Sequence, residues 1–256
     1  MRHLQGTQNY IRQSDPMDST SIYGTRVVKS FDEDQAEIFA TLKNALAGKK
    51  LPPLKLINYF RGLPLIYPAT VEGIEHGIID LDVQPQQAVA MAADHYTIIR
   101  CKLFPHDIAA HVQYVNVPRH AASLSKLRFV EIMAERRSSV RLEPALPTQA
   151  AFPFQGQDMP GRLFDISISG AAISTDEYLD MPPGSETSLR FKLPDLAQNN
   201  LFPIKAEAKL VHIEGYTSPY IYSFAINPEN LVEQQLSRYI FQRQIEIIRD
   251  LRDAAA

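Results

Sequence analysis

The sequence predicts a mainly β protein, built from two small antiparallel β-barrels in tandem with one helix before the first barrel and one after the second. Three observations lead to this prediction. The chain has 256 residues, which at roughly 150 residues per domain favours two domains. Hydrophobic residues make up 45% and charged residues 21%, as in globular proteins and unlike disordered chains. Short β-type runs recur every ~8–12 residues, a spacing typical of barrels and sandwiches.

Composition also narrows the function. The 26 basic and 29 acidic side chains give a net charge of −3, so we expect no binding of DNA or RNA by bulk charge, and an anion must be held by a local cluster. The longest apolar stretch, Ala88 to Ala93, is far shorter than the ~18 residues of a spanning helix. We therefore expect a cytoplasmic protein without membrane insertion. Cys101, the single cysteine, is expected in the core.

The first half reads as a polar lead followed by a β domain. Residues 1–30 are polar and aperiodic, which predicts a flexible N-terminal segment. From Asp32 to Ala47 apolar residues recur every four positions, which predicts an amphipathic helix. Residues 31–133 then form the first domain, with no helix expected between its strands. Its predicted strands are Leu54–Phe60, Leu65–Ile74, Ile78–Val83, Tyr96–Leu103, Ala109–Val117 and Leu124–Met133.

A second series of β-type runs fills residues 134–256, with Pro and Gly clustered between them. Asn227 as cap and Pro228 as first residue then open a helix to about Asp253. This helix has one apolar stripe, formed by Val232, Leu236, Tyr239, Ile240, Ile247, Ile248 and Leu251. The predicted strands are Val140–Leu142, Arg162–Ile168, Ala171–Thr175, Ser188–Leu193, Ile204–Ile213 and Tyr220–Ile226.

The residues that carry chemistry lie where the two halves meet. Arg136, Arg137 and Arg141 fall within six positions, and the segment from Asp165 to Gly170 follows some 25 residues later. A guanidinium group can bind the guanine edge, stack on a purine or hold a phosphate. A carboxylate accepts from the N1 and N2 donors that distinguish guanine from adenine. Together these residue types indicate a site for a guanine nucleotide.

The two motifs, Arg137-x-x-x-Arg141 preceded by Arg136 and Asp165-x-Ser167-x-x-Gly170, resemble the paired signature of PilZ domains, bacterial receptors for cyclic di-GMP. The resemblance covers about residues 134–253 and implies a six-stranded antiparallel barrel followed by a helix. Many members have Gly-Gly where this chain has Ser169-Gly170. The implied ligand-binding residues are Arg136, Arg137, Arg141, Asp165, Ser167 and Gly170.

The resemblance implies a role for each of these residues. Arg137 and Arg141 would contact guanine and phosphate, with Arg136 assisting. Asp165 and Ser167 would contact guanine or phosphate, and Gly170 would allow close approach of the backbone. The segment of residues 31–133 resembles, by architecture and position, the N-terminal barrel of YcgR-type flagellar brake proteins. The arginine segment is then also the interdomain linker, so that ligand binding can change the arrangement of the two barrels.

The resemblance implies signal transduction by a non-enzymatic receptor that controls flagellar motility or biofilm and exopolysaccharide output. A protein partner such as the flagellar motor or the polysaccharide secretion machinery is implied as well. One alternative is a PilZ-fold adaptor that binds proteins but no nucleotide. Another is a phosphodiesterase acting on the same nucleotide, although hydrolysis usually needs a metal and a general base, and we expect no metal site. We expect the apolar stripe of the C-terminal helix to pack against the second barrel. A homodimer contact through this helix is the second alternative.

Overall fold

The computed structural model describes residues 24–25, 30–195 and 200–256, so that most of the predicted flexible segment 1–30 lies outside the described residues. Three helices are α1 (Phe31–Ala47), α2 (Pro85–Asp94) and α3 (Asn230–Ala254). The strands are β1 (Gly24–Thr25), β2 (Leu54–Phe60), β3 (Leu63–Glu75), β4 (Ile78–Val83), β5 (Tyr96–Arg100), β6 (Asp107–Asn116), β7 (Ala121–Glu131), β8 (Gln149–Phe154), β9 (Gln157–Ile166), β10 (Gly170–Thr175), β11 (Glu186–Asp195), β12 (Asn200–Glu214) and β13 (Tyr220–Ile226).

The first half forms a closed antiparallel barrel of six strands. The order is β7-β4-β3-β2-β5-β6, and β6 pairs again with β7 to close it. The short strand β1 extends the edge of β7, where Thr25 lies opposite Val130. Alternating burial along β4 shows the period of two expected when one strand face lines a core. The predicted tandem of two barrels with flanking helices is confirmed.

Helix α1 covers one side of this barrel, and its start is fixed by a capping box. The Ser30 side chain accepts from the Glu33 N–H, and the Glu33 carboxylate accepts from the Ser30 N–H at 2.9 Å. Ile38 and Leu42, two of the predicted apolar positions, are fully buried in the first core. Cys101 is also buried there, as predicted, and burial raises the pKa of its thiol.

Helix α2 contradicts the expectation that no helix lies between the strands of the first half. Pro85 lies in its first turn, where backbone N–H groups have no partner within the helix, so the N–H that proline lacks costs no hydrogen bond. Its alanines let it pack tightly between the two halves of the molecule. Ala88 and Met91 belong to the first core, whereas Ala90 belongs to the core of the second half. The apolar run Ala88 to Ala93 is therefore helical.

The second half is a closed barrel of six strands in the order β10-β13-β12-β11-β8-β9. Its first strand differs from the prediction. Val140–Leu142 is not a strand, because only Leu142 makes an isolated bridge to Ile166. Strand β8 takes this place and includes Pro153, which belongs to the Pro and Gly residues that were expected to lie between the strands. That proline lies outside the two-residue contact between β8 and β11, so its missing N–H costs no ladder bond there.

Helix α3 packs on the second barrel and starts two residues later than predicted. Its cap is Glu229 rather than Asn227, and Pro228 precedes the helix. Most of the predicted stripe is buried, but Ile248 is 39% exposed. Buried Arg243 takes a place on the buried face, where its Nε donates to the Glu143 carbonyl at 3.0 Å. The Tyr239 hydroxyl accepts from the Ala145 N–H at 3.0 Å. Both bonds fix the segment that leads into the second barrel.

The two barrels meet at the tip of the β2–β3 hairpin. Arg61 and Gly62 both have positive φ, at 51° and 84°, as in the two-residue turns that match strand twist. The Arg61 carbonyl accepts from the Glu143 N–H at 3.1 Å, and its guanidinium pairs with Asp250 of α3. Phe60 and Leu65 beside the tip are packed in the second core. The hairpin therefore reaches across to the linker and to α3.

Candidate functional site

The arginine segment lies in the linker between β7 and β8. A short 3-10 helix, Met133–Arg136, follows β7, and the chain is extended at Arg137. Leu142 then bonds in both directions with Ile166, with N–O distances of 2.9 and 3.0 Å. In this antiparallel bridge Arg141 lies opposite Ser167, and its charge acts on the nearby Asp165. The two sequence motifs are thus joined in space by one pair of backbone hydrogen bonds.

Asp165 is the centre of the candidate site. One carboxylate oxygen accepts from the Ala172 N–H, whereas Oδ1 is shielded from solvent and has no hydrogen-bond partner in the described part of the chain. Burial raises the pKa of this carboxyl, while Arg141 and then Arg137 act to lower it and Glu214 to raise it. A buried polar atom without a partner is costly. A ligand that carries both hydrogen-bond donors and negative charge would satisfy this oxygen and the two arginines beside it.

Arg137 stands between the two barrels. Burial and then the like charge of Arg141 lower the pKa of its guanidinium, whereas Asp165, Tyr59 and Glu214 act to raise it. Tyr59 belongs to β2 of the first barrel, and Glu214 ends β12 of the second. Two cations held this close together repel each other, and a bound phosphate would relieve the repulsion. The geometry therefore favours a ligand with negative charge.

Gly170 gives the Arg141 side chain room. A Cβ at this position would lie 3.1 Å from the Phe224 carbonyl oxygen and 3.7 Å from Nη2 of Arg141. The backbone of β10 therefore lies close to the Arg141 guanidinium. Any larger side chain here would extend into the space beside the arginine.

Ser167 supports the turn between β9 and β10. Its side chain is only 1% exposed, and its Oγ donates to the Gly170 carbonyl at 3.1 Å. In this arrangement the hydroxyl holds the turn that carries Gly170 and does not face open space. The linker hydroxyls Ser138 and Ser139 instead reach Ser169 of the same turn, with Oγ–Oγ distances of 3.4 and 3.0 Å.

Arg136 points away from Asp165. It is exposed at the end of the 3-10 helix, and its Nη2 pairs with Glu131 of β7. The structure therefore brings together Arg137, Arg141, Asp165, Ser167 and Gly170. It places Arg136 on the surface of the first barrel.

A cavity of about 330 Å³ lies beside the arginines and is lined by the first barrel and the linker. Tyr59, Gly62 and Ile66 come from the first barrel, and Arg137 and Arg141 from the linker. Burial, followed by the nearby Glu135 carboxylate, raises the pKa of Tyr59 to about 12, so this phenol stays a hydrogen-bond donor. Sequence reasoning missed Tyr59 and Glu214, because neither belongs to a motif and both reach the site through the fold.

A larger groove of about 770 Å³ lies on the outside of the second barrel, along β8, β11 and β12. Its charged lining residues are Arg190, Lys192 and Lys205, and its other lining residues are largely apolar. No carboxylate lines this groove, so it lacks the acceptor that would select guanine. The smaller cavity beside Arg137 and Arg141, next to Asp165, remains the candidate nucleotide site.

Residues 135–242 match the family model described as PilZ domain, and this part of the chain is a PilZ domain. No curated protein sequence matches the chain significantly. Within the described ranges, no helix is long and apolar enough to cross a membrane. The same ranges contain no group of three or more His, Cys, Asp or Glu side chains arranged to hold a metal ion.

Three solved structures are similar in fold. Bacillus subtilis inhibitor of motility, MotI/DgrA, is 14% identical with a TM-score of 0.41, over 77% of this chain and 97% of that chain. Escherichia coli YcgR in complex with c-di-GMP is 20% identical with a TM-score of 0.40, over 87% and 94%. The K. pneumonia MrkH–c-di-GMP complex is 13% identical with a TM-score of 0.42, over 84% and 96%. The family assignment rests on the match at residues 135–242.

Proposed function

We propose that this protein is a receptor for cyclic di-GMP, which binds between the linker arginines and the end of β9. The observation that carries this proposal is the Asp165 Oδ1, a shielded acceptor without a partner among the described residues. Guanine offers N1–H and N2–H donors to such an oxygen. The flanking Arg137 and Arg141 supply positive charge for the phosphates. Binding would therefore satisfy the acceptor and relieve the repulsion between the arginines together.

The six predicted residues divide into three roles in this proposal. Arg137 and Arg141 contact phosphate and guanine, and Asp165 reads the guanine edge. Ser167 and Gly170 shape the turn beneath the ligand, since the Ser167 hydroxyl is already bonded to the Gly170 carbonyl. Arg136 joins the site only after it leaves Glu131.

We assign the site to binding rather than catalysis. Its side chains are two guanidinium groups, a phenol and the carboxyl groups of Asp165 and Glu214, which can hold and select a nucleotide. The histidine of the second half, His212, is bonded through Nε2 to Glu214 at 2.6 Å. Incubation of cyclic di-GMP with the protein and Mg²⁺ or Mn²⁺ should leave the ligand intact. Appearance of the linear dinucleotide would contradict this assignment.

Ligand binding would be transmitted to the first barrel through the hairpin tip. A Cβ at Gly62 would lie 2.0 Å from the Arg141 carbonyl oxygen, so the tip and the linker are in direct backbone contact. A shift of Arg141 toward a phosphate must therefore displace Arg61 and Gly62 or break this contact. We expect the ligand to change the arrangement of the two barrels, which small-angle X-ray scattering with and without ligand would detect.

The output of the receptor is proposed from the PilZ domain alone. We place the protein in the cytoplasm, where it would regulate motility or biofilm and exopolysaccharide production through a partner such as the flagellar motor or the secretion machinery. The alternative is a PilZ-fold adaptor that contacts its partner without any nucleotide. In that case Arg137→Ala would leave partner binding and every nucleotide titration unchanged.

Titration calorimetry with cyclic di-GMP tests the proposal, with cyclic di-AMP as the control ligand. We expect saturable heat with the wild type and none with the double variant Arg137→Ala, Arg141→Ala. Cyclic di-AMP should produce no saturable heat, because adenine lacks the N1–H and N2–H donors. Absence of heat from folded wild type, or equal binding by the double variant, would refute the proposed receptor.

A further inference from the structure

Two sets of ion pairs among the described residues join the linker to the first barrel, one through Glu135 and one through the proposed ligand residue Arg136. Glu135 accepts from Nη2 of Arg100 at 3.0 Å. Arg100 also holds Asp107 with two bonds, Nε–Oδ1 at 2.8 Å and Nη2–Oδ2 at 2.7 Å. This cluster anchors the start of the linker without using any ligand-binding arginine. The second tie is the pair between Glu131 and Arg136.

The Glu131 carboxylate is paired with the Arg136 guanidinium group, which the proposed ligand also needs. A guanidinium group binds a carboxylate and a phosphate through the same planar set of donors. Arg136 therefore cannot give its full set of bonds to a phosphate while Glu131 holds it. Glu131 is the last residue of β7, whereas Arg136 ends the short helix that follows. The pair thus fastens the linker to the first barrel five residues upstream of Arg141.

We propose that Glu131 competes with the ligand for Arg136, so that the Glu131–Arg136 pair is a latch that lowers the affinity of the site until the ligand displaces it. The inference rests on the proposed function and assigns a regulatory role to a residue outside both sequence motifs. Release of Arg136 completes the arginine set and frees the linker from β7. The anchor at Arg100 stays in place, so that movement is confined to the segment after Glu135.

The effect of the latch is set by the exposure of its members. The side chains of Arg136 and Glu131 are 61% and 41% exposed, and exposed ion pairs contribute little to stability. Loss of the latch should therefore tighten binding by about two- to fivefold. An effect of that size is within reach of calorimetry and is compatible with an unchanged fold.

The test is a double-mutant cycle measured by titration calorimetry with cyclic di-GMP. It uses the wild type, Glu131→Gln, Arg136→Ala and the double variant. Glu75→Gln is the matched control, because Glu75 is exposed at the far end of β3, roughly 30 Å along the strand from the cavity residue Ile66. We expect Glu131→Gln to lower Kd about two- to fivefold and to have no effect in the Arg136→Ala background. Glu75→Gln should bind as the wild type does.

Three results would overturn the latch. Glu131→Gln could leave Kd unchanged or raise it. It could lower Kd equally with and without Arg136, which would mean simple repulsion of the ligand by Glu131. It could also share its gain with Glu75→Gln, which would mean a nonspecific charge effect. Failure of the proposed function is distinct, because then even the wild type shows no saturable heat, and the latch falls with it.

Discussion

The substitution Asp165→Asn separates the function of this residue from its effect on stability. In the wild type the Ala172 N–H holds one carboxylate oxygen, and Oδ1 is free among the described residues. After substitution the amide oxygen takes the bond from Ala172, and the NH₂ group occupies the position of Oδ1. A donor then faces the guanine donors. Loss of one such base contact costs about 1–3 kcal/mol, which is roughly 5- to 150-fold in Kd.

The same substitution should stabilise the ligand-free protein. Burial raises the pKa of Asp165, so the fold favours the neutral form over the charged one. A pKa that is higher in the folded state therefore lowers stability at pH 7, and this penalty disappears as the pH falls through the folded-state pKa toward the unfolded value. A neutral isostere removes the penalty at pH 7. A gain of about 1 kcal/mol would raise Tm by roughly 2–4 °C.

Calorimetry and thermal unfolding of the wild type, Asp165→Asn and Asp158→Asn test both parts. Asp158 lies on the outside of β9, where it pairs with Arg190, so its substitution should leave Kd unchanged. Asp165→Asn should weaken cyclic di-GMP binding while Tm without ligand rises. Binding as tight as that of the wild type would refute the assignment of the guanine edge. A fall in Tm without ligand would refute the electrostatic argument.

Three further predictions follow from the same contacts. Affinity for cyclic di-GMP should fall as the pH is lowered from 7 toward the pKa of an ordinary aspartate, about 3.9, because burial raises the pKa of Asp165 and its acceptor is protonated before that pH is reached; titrations at a series of pH values, with Asp165→Asn and His212→Gln as controls, should show the loss only where Asp165 is present. Gly62→Ala should lower Tm by several degrees, because its φ of +84° and the 2.0 Å approach to the Arg141 carbonyl leave no room for a Cβ; an unchanged Tm in differential scanning calorimetry would contradict the close contact. Arg141→Lys should weaken binding at least tenfold, because one ammonium group cannot replace the planar fork, whereas circular dichroism should show an unchanged fold; equal affinity would exclude a bidentate contact.

The features that the sequence predicted are those written in local patterns. Helix α1 was predicted from apolar residues that recur every four positions. The strands β4, β10 and β13 were predicted at or within one residue of their bounds. Helix α2 was missed because its alanines pack between two cores, and no period marks a helix that is buried on both sides. Strand β8 was missed because a proline is typical of a loop, and the sequence does not show that Pro153 pairs only with β9 and lies beyond the contact of β8 with β11.

The candidate site divides in the same way. The two motifs identified Arg137, Arg141 and Asp165, and the Leu142–Ile166 bridge explains why residues so far apart in sequence meet. Contacts with the first barrel could not be predicted, because they depend on the position of the β2–β3 hairpin relative to the linker. Tyr59 reaches the cavity from that hairpin, and Glu131 reaches Arg136 from β7. Neither carries a sequence signal of its own.

A crystal structure of the protein with cyclic di-GMP tests the central claim most directly. The account predicts a guanine edge within hydrogen-bond distance, about 2.7–3.2 Å, of the Asp165 Oδ1. It also predicts phosphate oxygens on the Arg137 and Arg141 guanidinium groups, with Arg136 released from Glu131. A ligand seated elsewhere, such as in the groove along β8 and β11, or one that leaves the Asp165 Oδ1 without a partner, would contradict it.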